Sequence, residues 1–239
     1  MAFLVIAEAA ARTGVVDSQS LPPVSAVLAD AFELFGDSAF LGEVRTTITA
    51  CLLGLALAVA VSVPMGLLLG SLPKLEAAVR PLLEFLRPIP AVAIIPLAML
   101  VFPDGRDTQV TVVFYASCWP TLINTIYGLR EVDPVAKETM RAFGFGPLST
   151  LLRVSVPSTA PFIATGIRLS TAIALIAGIS TELIAGGTGI GTFITTAGNS
   201  DRTDLMLAAT VWAGALGLLA NGLLAAMERR AFRWHRRTA

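Results

Sequence analysis

Few residues in this chain could do chemistry, and they are widely scattered. His235 is the only histidine, so a histidine-based metal site or acid–base pair has nothing to build on. Cys51 and Cys118 both sit in apolar runs, which suits small buried side chains better than a disulfide or a metal ligand. Neither Lys74 nor Lys137 follows a glycine, so the Gly-Lys-Ser/Thr pattern of a phosphate-binding loop is missing. No convergent catalytic set emerges, and no cofactor or metal is expected. What remains is Glu182 and Asn124 inside apolar segments, a proline-rich stretch around Pro90, the glycines between 186 and 191, and a polar stretch over 130–160.

Composition explains why the polar residues stand out. Of 239 residues, 55% are apolar and 14% charged, against about 25% charged in soluble domains. The apolar residues gather into runs, and about 20 of them cross a hydrocarbon layer of roughly 30 Å as a helix. The net charge of zero carries no signal for nucleic acid.

The runs predict an all-α polytopic membrane protein of about five or six spans, a single domain in the lipid bilayer. Residues 1–12 read as a partial first span; a signal peptide is the rival reading, but its basic leading region is missing. Residues 21–43 alternate at helical spacing and suit an interfacial helix. Further spans are expected at 46–70, 89–102, 108–129, 164–185 and 204–227. The third is short and carries Pro90 and Pro96, and the stretch from Ala77 to Arg87 reads as a separate helix leading into it. With six spans, both ends lie on one side. That side carries 12 Lys and Arg residues against 4 on the other, with Arg168 inside a span. The positive-inside rule then places the 130–160 loop and the C-terminus in the cytoplasm. The glycine run falls on the opposite side, as a flexible turn.

An ionisable group at membrane depth is expensive unless paired or wet, so Glu182 is a candidate for the translocation path or a gate, against an interfacial glutamate that reaches water. Asn124 and Pro90 are the other path candidates. For Asn124 an interhelical hydrogen bond is the plainer reading. Gly66 and Gly70 form a small-xxx-small pair, read as close helix packing.

Residues 138–157 read ETMRAFGFGPLSTLLRVSVP. They resemble the signature loop of the permease subunits of ATP-binding-cassette importers: Glu-Ala-Ala, three residues, Gly, nine residues, Ile, one residue, Leu-Pro. Glu138, Gly144, Val154, Val156 and Pro157 fall in that register; Thr139 and Met140 depart from it, as does the run from Phe145 to Pro147. The segments LPPVSAVL, LRPIPAVAIIP, WPTLINTIYGLREVDP and TELIAGGTGIG look like the nitrate, sulfonate, taurine and bicarbonate branch. A short helix over about 135–143 ending at Gly144 would give a rigid knob; a plain amphipathic loop helix is the alternative.

The resemblance implies a cytoplasmic coupling helix that docks on a separate ABC ATPase subunit, with Glu138, Arg141, Gly144 and Pro157 as coupling residues. It implies two copies of that ATPase, an extracytoplasmic solute-binding protein and a homodimer of this permease. The expected activity is import of a small anion by alternating access, with ATP hydrolysed by the partner and not by this chain. The same machinery importing a thiamine- or riboflavin-type precursor, or a membrane scaffold for an ATPase that transports nothing, are the alternatives.

Overall fold

The computed structural model describes Glu8, Ala11, Arg12 and residues 22–231. Most of the partial span expected over 1–12 lies outside the described residues, as does the basic tail beyond Ala231. Every element among the described residues is helical. We number the helices α1 (Val24–Glu33), α2 (Ser38–Ser71), α3 (Pro73–Leu86), α4 (Ala91–Val101), α5 (Gly105–Arg130), α6 (Pro134–Ala142), α7 (Pro147–Ala185), α8 (Ile190–Asn199) and α9 (Thr203–Ala231).

The segment expected as one interfacial helix over 21–43 is divided. α1 ends in a 3-10 turn at Leu34–Gly36. Asp37 then caps α2, its carboxylate accepting from Ala39 N at 2.8 Å. α2 runs 34 residues, about 51 Å at 1.5 Å per residue, so the span expected at 46–70 is the later part of a longer helix.

α5 lies between α2 and α7 and packs along both. Small residues permit this. α2 buries Ala50, Gly54, Ala58, Ser62 and Gly66 at four-residue intervals on one face. A Cβ on Gly54 would lie 2.6 Å from Val113 Cγ1, and one on Gly66 2.6 Å from Thr125 Cβ. α7 repeats the pattern with Gly166, Ser170, Ala174 and Gly178. In lipid, where exposure to tails costs an apolar side chain nothing, backbone proximity of this kind drives helix association.

Buried hydroxyls join the same helices. Ser170 Oγ donates to Ser117 O at 2.6 Å and lies 2.9 Å from Thr121 Oγ1. Such bonds contribute about 0.6 kcal/mol each in a membrane bundle. They also explain why α5 does not read as strongly apolar. Its buried face carries Thr108, Gln109, Ser117, Thr121 and Thr125 because that face meets protein, not lipid.

By length and apolar composition, α2, α7 and α9 qualify as spans, and α3 with α4 makes a fourth if the bent pair counts as one. The sequence reading expects five or six. α5 has the length for a crossing, about 39 Å over 26 residues, but not the apolar composition. The short third span expected at 89–102 does not cross by itself. α4 has 11 residues, about 16 Å, and meets α3 at a 90° bend.

Candidate functional site

The 130–160 region is largely helical. Asp133 caps α6, its carboxylate accepting from Val135 N at 2.8 Å, and Pro134 occupies the first turn, where its missing N–H costs nothing. The helix closes in a Schellman turn: Gly144 N donates to Arg141 O at 2.9 Å and Phe145 N to Met140 O at 3.0 Å. That turn requires a left-handed residue, and Gly144 has φ +78°. Pro147 then opens α7.

α6 is tied back at its base. Lys137 Nζ donates to Leu129 O at 3.2 Å, at the end of α5, and Arg130 pairs with Glu76 of α3. Its outer surface is bare: Glu138 and Arg141 are exposed, and Phe143 is 77% exposed. A large apolar side chain offered to solvent beside charges is a docking feature. Pro157 lies just past a π-helical stretch at Leu151–Ser155; without an N–H it cannot donate to Arg153 O, and the helix continues through the widened turn.

Pro90 caps α4 at the 90° break, with φ −62° and ψ 127°. α5 holds both sides of the break. Tyr115 Oη donates at 2.6 Å to Leu86 O, which also accepts from Ile89 N at 3.2 Å, and Thr108 Oγ1 donates at 2.7 Å to Phe102 O, just past the far end of α4. Asn124 lies on α5 beside this break. Its amide does not bridge helices, as the plainer sequence reading has it, but donates to Pro120 O in its own helix at 2.8 Å.

Glu182 is 2% exposed, so it is not an interfacial side chain reaching water. Its Oε1 accepts from Thr47 Oγ1 of α2 and Gln109 Nε2 of α5, each at 2.7 Å, and its Oε2 from Gly191 N of α8 at 2.8 Å. No cation pairs with it among the described residues; neutral donors from three helices hold it. Thr47 Oγ1 also accepts from Ile190 N at 2.9 Å, and Glu43 accepts from Gly189 N. Three N–H groups at the start of α8, those of Gly189, Ile190 and Gly191, are thus met by side chains of α2 and α7. The glycine run is a tight lid on Glu182: Gly186, Gly187 and Gly189 have positive φ, and a Cβ on Gly189 would run into the Glu182 carboxylate.

The candidate residues therefore fall into three places. Glu138, Arg141, Gly144 and Pro157 sit at one end of the bundle. Glu182 sits 25 residues beyond Pro157 along α7, about 38 Å away. Pro90 and Asn124 flank the helix break between them. Sequence reasoning missed Glu43, Thr47 and Gln109 around Glu182. It placed Arg168 inside a span but missed its partner Glu228 of α9, 2.9 Å away, which also accepts from Thr165 Oγ1 at 3.1 Å. Polar residues inside apolar runs were the available signal. No group of three or more metal-ligating side chains occurs among the described residues.

A family model described as binding-protein-dependent transport system inner membrane component matches residues 62–233. A nitrate import permease protein of Leptolyngbya laminosa is 27% identical over 194 residues, covering 81% of this chain and 70% of that protein. A bicarbonate transport system permease protein of Synechococcus elongatus is 29% identical over 194 residues, covering 81% and 70%. A putative ABC transporter permease protein of Methanocaldococcus jannaschii is 30% identical over 221 residues, covering 90% and 83%. Among solved structures, an inward-facing form of the MetNI methionine ABC transporter superposes with a TM-score of 0.70 at 17% identity, covering 80% of this chain and 94% of that one.

Proposed function

The chain belongs to the family of binding-protein-dependent transport system inner membrane components, and from that premise we propose that it forms the path of a small anion through the membrane of an ABC importer. It is a multi-pass membrane permease and not a catalyst. The observation that carries the mechanism is the α6 knob. It is capped by Asp133, closed by Gly144, anchored to α5 through Lys137, and bare on its outer face.

A separate cytoplasmic ABC ATPase, in two copies, docks on that face through Glu138, Arg141 and Phe143. Closure of the ATPases pushes α6, and the load passes into α5 through Lys137 and into α7 through the turn that Gly144 shapes. α5 and α7 are joined by small-residue packing and hydroxyl bonds, so they move as a unit. The α3–α4 break beside Pro90 and Asn124 lines the path, and Glu182 braces the far end. Two copies of the permease face each other, an extracytoplasmic binding protein delivers the solute, and α6 and the C-terminus lie in the cytoplasm. The relatives named for nitrate and bicarbonate support a small oxyanion as the substrate class.

The test is reconstitution with an ABC ATPase and a solute-binding protein from the same organism. The expected outcome is ATP-dependent uptake of nitrate or bicarbonate. Stable assembly with an ATPase but no ATP-dependent uptake of any solute would overturn the transport reading.

A further inference from the structure

A cavity of about 430 Å³ opens between the α5–α7 seam and the broken α3–α4 pair. Its lining includes four polar side chains, Arg87, Tyr115, Trp119 and Asn124, among apolar ones such as Ile89 and Ile173, and no carboxylate; Glu76 and Glu84 line an adjoining cavity that Arg87 and Trp119 also border, but each is paired with another arginine. The polar groups have donors to spare. Arg87 has no carboxylate partner among the described residues, as is also true of Arg45, Arg106, Arg141 and Arg153, but Arg87 is the one that lines this cavity. Trp119 Nε1 is the only buried side-chain polar atom among the described residues that lacks a hydrogen-bond partner. A buried donor left unmet is unfavourable, and native proteins rarely keep one without a reason. Asn124 spends one amide hydrogen on Pro120 O and has a second. Tyr115 donates its hydroxyl hydrogen to Leu86 O and stands edge-on to the Trp119 ring at 5.6 Å, so it adds no donor to the surplus and offers only its oxygen as an acceptor.

Surplus donors, one planar cation and no acid complement a ligand that only accepts hydrogen bonds and carries negative charge. The fork of a guanidinium matches two oxygens of a planar oxyanion. The volume leaves room for such an anion with several waters. We propose that this cavity is an oxyanion subsite, with Arg87 and Trp119 as its binding residues and nitrate or bicarbonate as the ligand class. The proposal rests on the importer reading above and adds to it where the anion pauses. An anionic lipid headgroup offers the same oxyanion chemistry, but we assign the site to the free solute because Trp119 and Asn124 line it from the α5–α7 seam, with the exposed Arg87 at its mouth.

The experiment uses the purified permease–ATPase complex without binding protein, melted thermally while sodium nitrate replaces sodium chloride at constant ionic strength. A ligand that binds only the folded state raises the melting temperature as the logarithm of one plus the ratio of free ligand to Kd, a rise that continues after the site is full. The wild type is expected to show a rise that fits this logarithmic form with a single Kd. Arg87→Gln should abolish it, and Trp119→Phe, which keeps the ring and removes the N–H, should raise the fitted Kd for nitrate about tenfold, the effect of losing one hydrogen bond of ordinary strength. If Arg87→Gln does not assemble, Arg87→Lys should keep a weakened response. The proposal is overturned if neither nitrate nor bicarbonate shifts the wild type. It is also overturned if the shift is the same in wild type and variants, or if only phosphatidylglycerol produces it. Failure of the importer reading looks different: no ATPase copurifies, and no solute is taken up.

Discussion

Gln109 of α5 donates a 2.7 Å hydrogen bond to Glu182 of α7, across 73 residues of sequence and beneath the glycine turn that leads into α8. With Thr47 and Gly191 it gives a buried carboxylate three donors and, among the described residues, no counter-ion. Removing the carboxylate strands those donors, at about 1–3 kcal/mol each.

Glu182→Ala is therefore expected to lower stability by several kcal/mol, read as thermal melting in detergent. Glu182→Gln keeps the shape but turns an amide NH2 toward donors. It should insert and assemble, yet lose most uptake, because the ends of α2, α5 and α8 are no longer held together. Wild-type uptake in Glu182→Gln would leave the residue a purely structural one.

The packing seam gives a sharper contrast between glycines. A Cβ on Gly66 lands 2.6 Å from Thr125 Cβ and 3.1 Å from Leu122 O, while one on Gly217 of α9 meets nothing within 4 Å. Gly66→Leu should force α2 away from α5 and cost about 1–3 kcal/mol or more. Gly217→Ala should melt within about 0.5 kcal/mol of wild type, as surface substitutions do. Equal melting of the two variants would mean that the α2–α5 seam is not as close as described.

Local chemistry is what the sequence makes legible. Gly144 can be read as a helix terminator because its signal lies within a few residues: a short amphipathic stretch, a glycine, then a proline. The Gly66–Gly70 pair is readable for the same reason, but it is one part of a stripe that starts at Ala50, and only the facing Val113 and Thr125 explain it. Glu182 stands out as an acid in an apolar run, yet its partner Thr47 lies 135 residues away and carries no local mark. The sequence reading places a span at 108–129, but apolar composition alone does not mark α5 as one, for a related reason. A helix enclosed by other helices can afford threonines and a glutamine that a lipid-facing one cannot, and hydropathy alone does not separate the two cases.

The two ends of the bundle should lie on opposite sides of the membrane. Ser149 follows the α6 knob, and Gly187 is exposed in the turn over Glu182. In intact cells, a membrane-impermeant thiol reagent should label Gly187→Cys and spare Ser149→Cys in a variant otherwise free of cysteine. The reverse pattern would invert the topology and place the basic loops outside.

Gly144 is the most direct probe of the coupling knob. Its φ of +78° is a conformation that a β-branched residue adopts only under strain, on the order of 1–2 kcal/mol. Nothing lies within 4 Å of a Cβ placed there, so the penalty is conformational and not a clash inside the chain. Gly144→Val should therefore leave the bundle and its insertion intact while unwinding the Schellman turn and tilting α6. Phe143 and Arg141 would then present a different face to the ATPase. The variant should express in the membrane but shed ATPase on purification, or keep it and hydrolyse ATP without uptake. Gly144→Asn, a residue that tolerates the left-handed region, should restore much of the assembly, which separates loss of the turn from loss of space. Glu138→Ala should show only a mild defect, since an exposed charge contact is worth little alone. If Gly144→Val assembles and transports as the wild type does, α6 is not the element through which ATP hydrolysis drives the permease.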